Sequence, residues 1–142
     1  YDSLCWGITA SDGPGETYNF GDKKFHAYAG RGTSGKEYNY FDDGTIAPYA
    51  SLSSIPFTPE IVIPTIRSMI DKNGKGIWGR YGFYDSINNT VNWVNNDFIG
   101  IDQGIMLLMI ENFRTGLIWD YVMKDPVIQS GLGKLGFEYL KQ

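Results

Sequence analysis

Two carboxylates flank the longest apolar run of the chain. Six consecutive apolar residues extend from Ile105 to Ile110, with Asp102 shortly before them and Glu111 immediately after. An ionised carboxylate is costly to bury unless it is paired, hydrogen-bonded or neutralised by a shifted pKa, so both acids need an explanation. Their nine-residue separation places them on opposite faces of a helix, roughly 13 Å apart along its axis. They therefore do not form a pair.

Each of the two acids has a structural and a functional interpretation. Asp102 follows the flexible Gly100 and stands where an N-terminal cap or first-turn residue would stand, with its carboxylate near the positive end of the helix. A helix cap and a site role are equally compatible with that position. For Glu111 a structural role is favoured, with its carboxylate satisfied by a neighbouring loop.

Acid–base hydrolysis of a glycosidic bond would use acids of this kind. That chemistry needs two carboxyl groups with different pKa values, held roughly 5 to 10 Å apart. The candidates are Asp12, Asp85, Asp97, Asp102 and Glu111. Their spacing along the chain does not identify which two converge.

The loops around these acids contain a mixture of aromatic and polar residues. The residues expected to bind substrate are Trp6, Arg80, Tyr81, Tyr84, Trp93, Asp97 and Glu111. Sugars suit such a mixture, because their C–H faces stack on rings while their hydroxyls bond to carboxylates and guanidinium groups. The alternative is that the rings pack the loops onto the helices.

Composition excludes several other classes of function. A net charge of −4 argues against a nucleic-acid partner, because nucleic-acid binding normally requires a basic patch. A single cysteine and a single histidine, Cys5 and His26, exclude an internal disulfide and the usual zinc frameworks. No apolar stretch is long enough to span a membrane, and no metal or cofactor is expected. We expect a periplasmic or secreted location, with a cytoplasmic one as the alternative.

Helices must position these residues. A central helix is predicted within Phe98–Met123, interrupted near Thr115-Gly116. Others are predicted at Thr45–Ser53, from Pro59 to Asn73-Gly74 with Thr58 as N-cap, and after the N-cap and first-position pair Asp125-Pro126. Because an all-apolar run implies burial on every face, the central helix should lie inside a packed layer. Pro64 should kink the helix after Thr58 or delay its regular start.

Long loops are predicted around these helices. Residues 1–45 are rich in glycine, with one short strand near Lys24–Ala29, and residues 76–97 are aromatic and polar without a helical period. The GRGTSG segment at Gly30–Gly35 matches the dinucleotide fingerprint formally but lacks the strand before it and the helix after it. The pattern therefore favours an all-α core with a loop-built face. Because the chain begins at Tyr1 without an initiator Met, we expect a fragment or a processed product.

Four segments resemble a known family of bacterial proteins. They are CWGITASDGPG (Cys5–Gly15), DGTIAPYASLSSIPFTPE (Asp43–Glu60), WGRYGFYDSIN (Trp78–Asn88) and IGIDQGIMLLMIENFRTGLIW (Ile99–Trp119). They are similar to the glucoamylase-like domain, which includes the β-1,2-glucanases of glycoside hydrolase family 144 and a portion of cyclic β-1,2-glucan synthases. The resemblance extends in order from Leu4 to Phe137. Ile105 departs from it, since a proline is expected there.

The resemblance implies a fold and an active site. The family fold is a toroid of six α/α hairpins, about three times this length, so residues 1–142 resemble the C-terminal part of an (α/α)6 toroid as a single segment. Its characterised glucanases invert configuration and bind substrate in a cleft at one end of the toroid. By motif, Asp12, Asp85 and Asp102 would face that cleft as catalytic acids, with Asp102 the first choice.

We therefore predict a glycoside hydrolase that acts on a β-linked glucan or related oligosaccharide, whose isolated segment lacks activity. Its partners would be the oligosaccharide or polysaccharide substrate and the remaining N-terminal part of the toroid. The alternative is a non-catalytic carbohydrate-binding or scaffolding module.

Overall fold

A computed structural model of the chain describes residues 3–32 and 42–137. The helices of this part are α1 (Pro48–Leu52), α2 (Pro59–Asn73), α3 (Gly100–Thr115), α4 (Leu117–Val122) and α5 (Pro126–Lys134). A short 3-10 turn, Gly74–Ile77, follows α2. The antiparallel pairs β1 (Trp78–Gly79) with β2 (Gly82–Phe83), and β3 (Ile87–Asn88) with β4 (Trp93–Val94), lie between α2 and α3. The chain is helical, and part of the predicted loop face is built from these two ribbons.

Helix α1 begins later than predicted. It starts at Pro48 rather than at Thr45, because Ile46 is held in extended backbone by two 2.9 Å hydrogen bonds with Ile87. Ala47 is also extended, with φ −111° and ψ 115°, as the residue before a proline prefers. Pro48 therefore takes the first helical position, where its missing N–H costs no helical hydrogen bond.

Helix α2 begins at Pro59 and ends before Gly74, as predicted. Thr58 occupies the N-cap position, but its side chain makes no capping hydrogen bond. Pro64 lies inside the helix, which is continuous from its first residue, so the proline does not delay its start. The C-terminal prediction is explained by Gly74, whose φ of 60° is a conformation that glycine adopts readily.

Helix α3 differs most from its prediction. Only one face packs inward, through Asp102, Met106 and Asn112, while Ile105 is 42% exposed and Leu107 69% exposed. The expectation that the apolar run is buried on every face is therefore wrong for the described structure. The predicted interruption is confirmed, because α3 ends at Thr115 and Gly116, with φ 73°, leads into α4.

The core joins the loops to one face of the helices. Its buried members are Cys5, Ile46, Met69, Ile77, Phe83, Ile87 and Met106. Cys5, the single cysteine of the chain, is buried in this core. After α4, Asp125 caps α5 as predicted, accepting hydrogen bonds from the N–H groups of Val127 at 2.7 Å and Ile128 at 3.4 Å.

A buried arginine organises the first loop. The predicted strand at Lys24–Ala29 is absent from the described residues, where this segment takes part in the isolated antiparallel bridge of Ala29 with Ser11. Arg31, which is 1% exposed, instead donates to the backbone carbonyls of Ser11 and Ala29 and forms a two-point ion pair with Asp43 at 3.2 and 3.3 Å. Side-chain bonding to carbonyls thus replaces strand pairing. The last three residues of the GRGTSG segment lie outside the described residues.

Burial alone would raise the pKa of the Asp43 carboxyl. Hydrogen bonds from Arg31 and Thr45 outweigh that effect and lower the pKa. Asp43 is therefore the ionised partner of Arg31. The pair ties the first loop to the segment that enters α1.

Candidate active site

Three carboxylates from separate parts of the chain form one cluster, which we call the acid cluster: Asp12, Asp85 and Asp102. Asp102 lies in the first turn of α3, Asp85 between β2 and β3, and Asp12 beside the Ser11–Ala29 bridge. Asp85 and Asp102 are each 4% exposed, and Asp12 is half-buried. Solvent therefore meets the cluster mainly at Asp12.

Main-chain and amide groups hold Asp85 in place. Its Oδ2 accepts hydrogen bonds from the backbone N–H of Asp12 at 2.9 Å and from the side-chain amide of Asn95 at 3.4 Å. The Ser86 hydroxyl lies 3.1 Å from the same oxygen and 2.7 Å from the carbonyl oxygen of Asp12, so its one hydrogen serves either. These contacts fix the position of the Asp85 carboxylate.

Asp102 has the opposite environment. It is not the helix cap, because Ile99 occupies the N-cap position and accepts the Asp102 N–H at 3.1 Å. Its Oδ2 is buried and has no hydrogen-bond partner in the described part of the chain. Burial, then the adjoining Asp85 carboxyl, then the charge of Asp12, raise the pKa of Asp102 from 3.8 to about 7.

The difference between these two carboxyls defines their chemistry. Asp85 is provided with donors, whereas Asp102 is desolvated within reach of a neighbouring carboxylate. Asp102 is therefore the carboxyl of this cluster that keeps its proton toward neutral pH. A carboxylic acid with a pKa near 7 can donate a proton at neutral pH, as general acid catalysis requires.

Arg80, Tyr81 and Tyr84, predicted to bind substrate, belong to a second group of side chains. The Arg80 guanidinium lies 5.3 Å from the centre of the Tyr81 ring. The rings of Tyr81 and Tyr84 both contact Phe98, with centroid separations of 5.3 and 4.8 Å. Arg80 and Tyr81 also line a mainly apolar pocket of about 380 Å³ with Trp78, Gln103 and Leu107. Gln103 directly follows Asp102 in α3, but none of the three acids of the cluster lines this pocket.

The remaining predicted binding residues lie elsewhere or contribute through the backbone. Trp6 donates its indole N–H to Thr65 of α2 at 2.8 Å, and Trp93 is half-buried in β4. Asp97 has an exposed side chain, and its carbonyl accepts the Asp85 N–H at 3.1 Å. None of these rings lines the pocket beside Arg80 in the described residues.

Glu111 is separate from the acid cluster. Its carboxylate accepts from Thr115 at 2.9 Å and lies 3.5 Å from Arg114, both in α3 itself. The expectation that a neighbouring loop satisfies it is therefore wrong, because the next turn of its own helix supplies the partners.

The short polar side chains of Ser86 and Asn95 complete the cluster, and neither residue was predicted from the sequence. Asn95 lies in a run of asparagines and acids, VNND, where nothing distinguishes a buried amide from an exposed one. The described residues contain no group of three or more His, Cys, Asp or Glu side chains able to hold a metal ion. None of their helices is long and apolar enough to cross a membrane.

Comparison with known proteins identifies the family. A family model described as "Putative glucoamylase" matches residues 1–126. The chain belongs to this family. It is 36% identical over 135 residues to an exo β-1,2-glucooligosaccharide sophorohydrolase (non-reducing end) from Parabacteroides distasonis, covering 95% of this chain and 17% of that protein.

Solved structures of the glucoamylase-like family share the fold of the chain. A "putative glucoamylase" from Bacteroides caccae is 39% identical to this chain, with a TM-score of 0.76. The match covers 99% of this chain and 30% of the Bacteroides caccae chain. An endo-β-1,2-glucanase from Chitinophaga pinensis, in a complex with sophorotriose and glucose, is 36% identical with a TM-score of 0.70, covering 95% and 29%. The chain thus spans less than a third of each of these relatives.

Proposed function

We propose that this chain is the C-terminal part of a glycoside hydrolase catalytic domain that cleaves a β-1,2-linked glucan, with Asp102 as general acid. The observation that carries the proposal is the contrast within the acid cluster: a buried Asp102 carboxyl with a pKa near 7 beside a donor-supplied Asp85. Family membership and relatives named for β-1,2-glucan cleavage support the substrate class.

The acid cluster would form one half of the catalytic centre. Paired glycosidase carboxyls stand about 5 to 5.5 Å apart in retaining enzymes and about 6.5 to 9.5 Å apart in inverting ones, with the sugar between them. Asp102 and Asp85 are both buried and adjoin each other, which leaves no room for a sugar between them. Asp85 and Asp12 therefore support the acid, and the base of an inverting reaction would come from a carboxylate outside the cluster.

That second carboxylate would belong to the rest of the toroid, the N-terminal part of the complete protein. The outward face of α3 supports this arrangement, since Leu107 and Leu108 are exposed there. An apolar face of this kind is stabilised when another layer of helices covers it. The isolated chain would then lack activity although it carries the acid.

Sugar rings would lie on the aromatic group beside the acid. Tyr81, Tyr84 and Phe98 offer ring faces, and Arg80 offers hydrogen-bond donors, beside a pocket whose lining includes Gln103, the residue after Asp102. Such a surface suits the alternating C–H and hydroxyl faces of a glucose unit. A periplasmic or secreted location would give access to such a glucan, and a cytoplasmic enzyme would act on imported oligosaccharides.

Asp102→Asn in the complete protein tests the proposal. With β-1,2-glucooligosaccharides as substrate and β-1,3- and β-1,4-linked glucans as comparisons, we expect release of reducing sugar from the β-1,2 series alone. Removing proton transfer while keeping the side-chain shape should lower turnover by about 10²- to 10⁴-fold. The control is Asp71→Asn, an exposed aspartate on α2, which should leave turnover unchanged.

The outcome has three informative forms. Loss of turnover in Asp102→Asn alone supports the acid assignment. Wild-type turnover in that variant would discard it. Binding of oligosaccharides by the complete protein without cleavage of any glucan would favour a carbohydrate-binding module instead.

A further inference from the structure

Asn95 connects two members of the acid cluster, a role that neither its position in the sequence nor its residue type predicted. Its side chain is 7% exposed, and its Nδ2 donates to Asp12 Oδ2 at 3.0 Å and to Asp85 Oδ2 at 3.4 Å. A single amide group thus bridges two carboxylates from separate segments of the chain.

The orientation of this amide is fixed from its other side. Asn95 Oδ1 accepts the backbone N–H of Asp97 at 2.9 Å, and the Asn95 N–H donates to the Ser86 carbonyl at 2.9 Å. Turning the amide over would place its oxygen against two carboxylates and its NH2 group against an N–H, which satisfies neither. Asn95 can therefore only donate toward the cluster.

We propose that Asn95 is a positioning residue: by donating to the Asp85 and Asp12 carboxylates it keeps the proton of the Asp85–Asp102 pair on Asp102. This inference deepens the proposed function and rests on Asp102 being the general acid. The amide donates to Asp85 and to Asp12, whereas Asp102 receives no donor to Oδ2 in the described residues. Donors favour the charged form of the carboxyl they reach, so the proton remains on the one they do not.

Other ionisable groups around the pair do not explain the asymmetry by themselves. Asp102 is faced by Asp85 and Asp12, and from α1 by Tyr49. The Tyr49 hydroxyl donates to the carbonyl of Ala10 at 3.1 Å and lies 3.1 Å from the Thr9 hydroxyl, so its hydrogen is directed away from both carboxyls. The backbone N–H of Asp12 also supports Asp85, and Asn95 adds the side-chain donor that can be removed by substitution.

The test locates the proton directly. The complete protein, labelled with ¹³C at the side-chain carboxyl carbon of aspartate, is titrated by NMR from pH 4 to pH 9. Asp85→Asn and Asp102→Asn assign the two resonances. In the wild type we expect Asp102 to be protonated at pH 6.

Asn95→Ala should redistribute that proton. Loss of a hydrogen bond to a charged group should change the distribution of the proton between Asp85 and Asp102 about tenfold or more, toward protonated Asp85. Asn95→Leu, which keeps much of the side-chain volume without a donor, gives the same information if the alanine variant does not fold. The matched control is Asn89→Ala, whose amide contacts the Cys5 sulfur at 3.7 Å rather than a carboxylate.

An unchanged partition in a folded Asn95→Ala or Asn95→Leu variant would overturn the inference. So would an equal redistribution in Asn89→Ala. Because the titration needs no substrate, it separates the two claims. A proton that moves as expected in a protein that cleaves no glucan would leave the Asn95 role standing and discard the proposed function.

Discussion

Replacing Asp102 by asparagine should change the pH dependence of stability, independently of any substrate. The Asp102 carboxyl is nearly fully buried and has a pKa of about 7 in the folded chain, raised by burial and by the Asp85 carboxyl from 3.8. An unfolded chain ionises this group near its ordinary value. The folded state is therefore favoured by Asp102 at low pH and loses that advantage as the pH rises through about 7.

The magnitude follows from the same two values. A rise in pKa from 3.8 to about 7, at about 1.36 kcal/mol per pH unit, corresponds to about 4 kcal/mol. Water reaches the edge of the cluster at the half-buried Asp12 and screens part of the charge, so we expect between about 2 and 4 kcal/mol. Asparagine is neutral at every pH, so its contribution to the free energy of unfolding does not change with pH. The variant should therefore gain this amount over the wild type between pH 4 and pH 8.

Urea denaturation of both proteins across that pH range measures the difference. Subtracting the two curves removes the contributions of the carboxyls that do not interact with Asp102, which the two proteins share. Asp71→Asn, an exposed aspartate of α2, should give a difference curve that is flat with pH. A flat curve for Asp102→Asn as well would refute the argument that the fold holds Asp102 in its neutral form.

Three further substitutions test the scaffold around the site by chemical denaturation. Gly13→Ala should destabilise the chain by more than about 2 kcal/mol, because the added methyl would clash with the Arg31 guanidinium and with the carbonyl of His26. Wild-type stability would contradict this packing. Gly104→Ala in α3, where the methyl meets open space, should stabilise by about 0.5 to 1 kcal/mol. Asp125→Ala should cost about 1 kcal/mol through loss of the α5 cap, and no loss would mean that this helix end contributes nothing to folding.

Helix ends and turns were predictable because their signals are local. Asp125-Pro126 and Asn73-Gly74 act through the backbone of their own residues, so neighbouring letters are sufficient. The start of α1 was misplaced because a distant partner, Ile87, holds Ile46 in extended backbone. Strand pairing across 41 residues leaves no mark in a local window.

The site was predictable in its acids and not in what controls them. Asp12, Asp85 and Asp102 could be nominated by residue type and motif, and the structure brings them together, while their catalytic role stays a prediction. Asn95 could not be nominated, since its importance comes from which two oxygens its amide reaches. The direction of a hydrogen bond depends on the folded structure and cannot be predicted from the residue type alone.

The two sides of α3 separate what this chain can do by itself from what needs more protein. Asp102 faces inward, and the causes that raise its pKa, which are burial, then Asp85, then Asp12, are all supplied by this chain. Leu107 and Leu108 face outward and are exposed, so a covering layer would have to come from elsewhere. It follows that the proton on Asp102 should be a property of these residues alone, whereas proton donation to a sugar would need the opposing carboxylate. We therefore expect a raised Asp102 pKa but no turnover in this chain. In the complete protein we expect the same raised pKa together with turnover.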